Sequence, residues 1–175
     1  MSRRPLLPRT LALLAALLTA ASLHAAEPAA DPARDIERLY RSGDVALAAQ
    51  RLEQALAAQP SSPRLRFLKG VMLSEARRDA EAIMVFERLT QDHPDLPEPY
   101  NNLAVLHAAR GQLDRARELL ELALRHDPGY FAAHENLGDV FARLAQRAYE
   151  KAGANPRAEP SLQRKLRLAR DLAGP

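Results

Sequence analysis

Glu135, Asp139 and Arg143 stand four residues apart in the stretch "ENLGDVFAR". On a helix that spacing stacks the three side chains one turn above another on a single face. Two carboxylates beside a guanidinium could bind or catalyse, but the same spacing suits a staircase of ion pairs, and that is the expectation here. The other reactive residues are sparser still. His93, His107, His126 and His134 follow the first thirty residues, and neither His107 nor His134 has a second His or a carboxylate set at metal-ligand spacing. Ser42, Ser61, Ser62, Ser74 and Ser161 lie in no G-x-S-x-G turn. Glu118 and Glu121 are interleaved with arginines, as on a solvated ionic face. The chain has no cysteine, which excludes disulfides, thiolate metal sites, a cysteine nucleophile and a lipoprotein anchor. With no phosphate loop either, the expectation is a protein without catalytic residues, metal or cofactor.

Charge narrows the partners. The chain carries 25 Lys+Arg against 22 Asp+Glu. Arg3, Arg4 and Arg9 precede an uncharged apolar run from about Leu11 to Leu23, followed by "LHAAEP". A basic start, a short apolar middle and small residues read as a cleaved signal over residues 1–26, cut after Ala25 or Ala26. The apolar run is shorter than the roughly 20 residues that a spanning helix needs. The general secretory route is expected, and "SRRPLL" leaves the twin-arginine route open. Without those three arginines the remainder has 22 basic and 22 acidic residues, so no global basic field is left to hold nucleic acid. The balance is uneven along the chain. From Arg143 onward eight basic residues face Glu150, Glu159 and Asp171, a local excess of five. That tail either packs against the acidic body or presents Arg164, Lys165 and Arg167 to an anionic surface.

The elements that position these residues emerge when the sequence is compared with itself. At a shift of 34 residues, Pro60, Pro94 and Pro128 coincide, as do Ala48, Ala82 and Ala116, and Leu52, Phe86 and Leu120. Gly43 and Gly111 fall on one place with Arg77 between them, and Gly70, Ala104 and Gly138 on another. Asn102-Leu103 returns as Asn136-Leu137. This pattern resembles the tetratricopeptide repeat, a 34-residue helix–turn–helix, over roughly residues 31–151. "PEPYNNLAVLHAARGQLDRARELL" and "HENLGDVFARLAQRAYEKA" resemble, in particular, short proteobacterial periplasmic members of that family. The excess of arginine over lysine, 22 to 3, fits a GC-rich bacterium.

The resemblance implies an all-α superhelix of helical hairpins. Small residues at 70, 104, 138 and at 48, 82, 116 let paired helices approach, and Leu52, Phe86 and Leu120 fill the space between units. Gly43 and Gly111 end first helices in the left-handed conformation, and the prolines end second helices. The expected helices are 31–41, 44–58, 63–76, 79–92, 97–110 and 113–126, after a spacer at 27–30. The units are thus 31–60, 63–94, 97–128 and 131–153. The last unit is about five residues short and has no turn residue before "QRAYEKAGANP". It is either a shortened hairpin or, as favoured here, one helix over 131–153. A capping helix over 160–173, with Ser161 as N-cap, closes the array.

In such a superhelix the first helices line the concave side, where a partner would lie. Spacing places Arg64, Phe67, Leu68, Val71 and Ser74 there in the second unit. Glu98, Asn101, Asn102, Val105 and Ala108 follow in the third, and Glu135, Asn136, Asp139, Ala142 and Arg143 in the fourth. Asn102 and Asn136 are 34 residues apart, and each carries donors and an acceptor that match an extended backbone. The resemblance implies a two-rung asparagine ladder for a peptide; alternatively each asparagine ties a neighbouring helix. A cationic clamp for a C-terminal carboxylate fits less well. Arg34, Arg64 and Lys69 could serve it, but Glu98, Glu135 and Asp139 face the other end, which favours neutral or basic segments. The expected role is a periplasmic adaptor that binds an extended peptide or protein. Its alternative is a subunit or assembly factor of an envelope complex.

Overall fold

The computed structural model describes residues 31–153 and 160–174. The expected signal at 1–26 and spacer at 27–30 lie outside them. The described chain is helical throughout: α1 Pro32–Arg41, α2 Val45–Ala58, α3 Pro63–Glu75, α4 Asp79–Asp92, α5 Pro97–Ala109, α6 Leu113–His126, α7 Phe131–Gly153 and α8 Pro160–Ala173. The first six agree with the expected helices to within one residue at each end. None of the described helices is long and apolar enough to cross a membrane.

The turns inside the hairpins share one geometry. Gly43 donates its N–H to Tyr40 O, and Asp44 donates to Leu39 O. Arg77 and Arg78 repeat the pair onto Ser74 and Leu73, and Gly111 and Gln112 repeat it onto Ala108 and His107. These are Schellman closures, which need a left-handed residue after the helix. Gly43 and Gly111 take it at φ 90° and 74°; Arg77, without the freedom of glycine, is held at φ 61°.

The prolines act between hairpins. Pro60, Pro94 and Pro128 each follow the C-cap of a second helix (Gln59, His93 and Asp127). The three C-caps have φ near −135°. Proline disfavours the helical conformation in the residue before it, and all three C-caps have left it, Asp127 for the extended region. The chain then re-enters a helix at Pro63, Pro97 or Phe131, and Ser62 Oγ accepts the N–H of Leu65 at 3.4 Å. All three prolines therefore stand at matching corners.

Packing explains the remaining repeated positions. Ala48, Ala82 and Ala116 are fully buried, as are Phe86 and Leu120, with Leu52 nearly so. A Cβ built on Gly70 would lie 2.5 Å from Phe86 Cε1, so glycine is what lets α3 approach α4. The equivalent expectation fails at Gly138, where nothing lies within 4 Å of such an atom. No bulky side chain reaches α7 there.

α7 replaces the fourth hairpin with one 23-residue helix, about 35 Å long at 1.5 Å per residue. α8 packs along it through Leu166 and Ala169. α8 begins at Pro160, which puts Ser161 inside the helix rather than at its N-cap. Proline preset to helical φ suits the first helical position, so the helix starts at Pro160, two residues before the start that a Ser161 cap would set.

The core has two parts. One runs from Leu73 through α4, α5 and α6 to Val140. The other joins α1, α2 and one side of α3 through Ile36, Leu52, Leu65 and Met72. Along the seam, α2 stands off α3 and α4. Two clefts of about 570 and 540 Å³ open there, and the Lys69–Glu53 ion pair (2.8 Å) lies on the wall of both.

Candidate functional site: the inner helix face

α1 touches α3, α3 touches α5, and α5 touches α7, while no such contact joins α2 to α4 or α4 to α6. The first helices therefore form the closed inner layer, and the second helices fan apart outside it. Most of the residues expected on the concave side fall into two depressions of this layer.

Between α5 and α7 lies a pocket of about 270 Å³. Ala104, Val105, Ala108, Leu120 and Val140 give it an apolar floor, and Asn136, Asp139 and Arg143 stand on its wall. The expected ion-pair staircase is absent: among the described residues no ion pair joins Glu135, Asp139 and Arg143. Asp139 and Arg143 line the pocket instead, and among the described residues neither side chain meets an opposite charge. Glu135 is exposed and lies outside this lining.

A second depression of about 370 Å³ is lined by Glu37, Pro63, Arg64, Phe67, Leu96, Glu98 and Pro99. Arg64 is occupied there. One of its nitrogens meets Asp31, and Nη2 donates to Glu37 Oε1 at 3.2 Å, which ties α3 to α1. Phe67 lies against Phe86 with ring centroids 5.6 Å apart. Arg34 is 3.6 Å from Asp31, and Lys69 is taken by Glu53. Every cation considered for a carboxylate clamp thus already has an acid beside it.

The asparagines divide. Asn101, expected to face the groove, is only 7% exposed. Its Oδ1 accepts a 2.8 Å hydrogen bond from Asn136 Nδ2, which fastens α5 to α7. Leu68 is likewise buried, in the core around Ile36. Asn102 Nδ2 donates to Glu98 O at 2.9 Å on its own helix. The two rungs of the ladder therefore each spend a donor on the scaffold. Among the described residues the Oδ1 atoms of Asn102 and Asn136 have no donor, so each amide keeps its acceptor and one N–H unspent.

Nothing in the sequence singles out Tyr130. Its phenol is pushed above its ordinary value by burial first, then by the charges of Glu98 and Asp127. Two of the histidines have structural partners. His134 Nε2 lies 2.9 Å from Pro128 O, and His107 Nδ1 lies 2.5 Å from Gln112 Oε1. Glu118 and Glu121 pair with Arg115 (3.2 Å) and Arg117 (3.8 Å) on the outer face. Among the described residues no three His, Asp or Glu side chains assemble as a metal set.

An inner layer of first helices with a lined groove defines an α-helical repeat scaffold, the architecture of a protein–protein interaction module. The chain belongs to the tetratricopeptide repeat family: two models of that description match residues 36–97 and 73–137. A chloroplast tetratricopeptide repeat protein of Arabidopsis thaliana, PYG7, is 30% identical over 117 residues. That match covers 62% of this chain but only 39% of the relative. A thermophilic repeat protein from Thermus thermophilus superposes with a TM-score of 0.60 at 22% identity, over 79% of each chain. The first repeat domain of Spaghetti (RPAP3), solved with the HSP90 peptide SRMEEVD, gives 0.59 at 18% identity over 65% of this chain and 90% of that one.

Proposed function

We propose that this protein is a non-catalytic adaptor whose inner helix face holds an extended segment of another protein. The observation that carries the reading is the pocket between α5 and α7, where Val105, Asn136, Asp139 and Arg143 converge. Its floor suits one small apolar side chain of the partner, and the asparagine oxygens accept from the partner's backbone N–H groups. Asp139, Glu98 and Glu135 favour neutral or basic neighbours along that segment. That the RPAP3 neighbour was solved bound to a peptide supports peptide binding by this fold. An exported, periplasmic setting is part of the reading and rests on the composition of residues 1–26. A stable place in an envelope complex is the second reading, favoured by Phe131 and Phe141, large apolar side chains left exposed on α7.

Screening a random peptide display library against the chain tests the adaptor reading. Selected peptides should share a small apolar residue beside a basic one. They should lose binding to Val105→Arg, which fills the pocket from an exposed position. Peptides retained equally by Val105→Arg and by Asp139→Ala would refute it.

A further inference from the structure

We infer that the outward arc of α8 docks onto an anionic lipid surface, independently of the groove. Leu162, Leu166, Ala169 and Ala173 recur at helical spacing, and buried Leu166 and Ala169 mark that stripe as the one packed on α7. One position earlier, Ser161, Lys165, Leu168 and Leu172 form a parallel stripe that is exposed and that none of the other described helices covers. Leu168 is 57% exposed and Leu172 73%. At 100° per residue Lys165 borders these leucines on one side and Arg164 on the other, with Arg167 further round.

Five cations of the tail decide this. Arg147 reaches Asp114 on α6 at 2.7 Å, and Arg170 reaches Glu150 on α7 at 3.1 Å. The first fastens α7 to α6 and the second fastens α8 to α7. Arg164, Lys165 and Arg167 are exposed, and among the described residues none of them meets a carboxylate. Asp171 is the single acid on α8. Uncovered leucines flanked by unmatched cations fit a bilayer interface. Acyl chains take up the apolar stripe there, and headgroup phosphates meet the cations. A soluble acidic partner would satisfy the charges and leave Leu168 and Leu172 wet.

The chain has no cysteine, so Ser161→Cys gives a unique site on this arc for an environment-sensitive dye. The labelled full chain is mixed with phosphatidylcholine–phosphatidylglycerol vesicles, with phosphatidylcholine vesicles, and with soluble polyglutamate. The dye should shift to the blue only on the mixed vesicles. Because the label reports α8 itself, attachment through the apolar run near the N-terminus leaves its spectrum unchanged. Arg164→Glu with Lys165→Glu should weaken the response on the order of tenfold or more, since each cation near such a surface is worth about fivefold. Leu168→Ser with Leu172→Ser should abolish the shift while circular dichroism stays that of the folded chain. No shift on mixed vesicles, an equal shift on neutral ones, an equal shift with polyglutamate, or indifference to either double variant overturns the inference.

Discussion

Arg77 sits at a corner where the first and third hairpins use glycine, and it adopts the left-handed conformation at φ 61°. For a residue with a Cβ that conformation costs roughly 1–2 kcal/mol. Arg77 is exposed, and among the described residues it forms no ion pair, so its side chain returns little of that cost. Arg77→Gly removes the strain but adds freedom to the unfolded chain worth about 0.4–1 kcal/mol. The net expectation is a gain of about 0.5–1 kcal/mol. A domain of this size shifts by about 2–4 °C per kcal/mol, so the midpoint should rise by about 1–4 °C in a thermal melt followed by far-ultraviolet circular dichroism. Gly111→Ala imposes the same strain at φ 74° and should lower the midpoint by a similar amount. Urea titration separates this from a change in the extent of unfolding, because the slope should not move. A melting point of Arg77→Gly at or below that of the parent, with Gly111→Ala neutral, would refute the account of these corners.

Glycines inside helices should respond in opposite directions. Gly70→Ala drives a methyl into the Phe86 ring and should cost about 1–2 kcal/mol, the overpacking penalty less the better helix propensity of alanine. Gly138→Ala meets nothing and should stabilise by about 1 kcal/mol. The asparagines can be separated by the same melts. Asn136→Ala leaves the buried Asn101 oxygen without its donor and should cost about 1–2 kcal/mol, whereas Asn102→Ala loses a bond within its own helix and should cost under about 1 kcal/mol. Acid should loosen the array. The carboxyls of Asp92 and Asp114 are held below the ordinary 3.8, chiefly by hydrogen bonds from Arg66 and Arg147. Glu150 is held below 4.5 by Gln146 and then Arg170. A depressed carboxyl contributes its stabilisation above the unfolded value and loses it as pH falls through the folded one. Urea midpoints should therefore drop from about pH 5 towards pH 3. Asp92→Asn and Asp114→Asn together should flatten that decline.

The hairpins were legible because their determinants are local. A proline, a glycine and an alanine at fixed offsets each act on the backbone within a turn or on one neighbouring helix. The long α7 was legible for the same reason, since no turn residue interrupts it. What could not be carried over by the period was the outcome at positions whose neighbours change from unit to unit. Asn101 and Glu135 occupy equivalent places, yet one is buried and the other exposed, because only Asn101 has a following unit with an asparagine at the right height. Gly138 repeats Gly70 in sequence but lacks a Phe86 to make room for. Spacing left open whether each asparagine meets a peptide or ties a neighbouring helix; Asn136 does tie α7 to α5, whereas Asn102 bonds within its own helix. Arg64 looks available from its spacing, but Asp31 and Glu37, which claim it, lie 33 and 27 residues away at the first hairpin. Distant pairings of that kind depend on the angle between units, which no single repeat encodes.

The seam beside α2 bears on how the chain comes apart. A linear stack has no closing contact between its ends, so each joint bears strain alone and the slackest one yields first. Here that joint lies behind the first hairpin, which shares a separate core and is braced across open clefts by Lys69 and Glu53. Heat or pulling should strip α1 and α2 as one piece while α4 through α7 stay folded, so the amides of that piece exchange with deuterium soonest among the helices of the array.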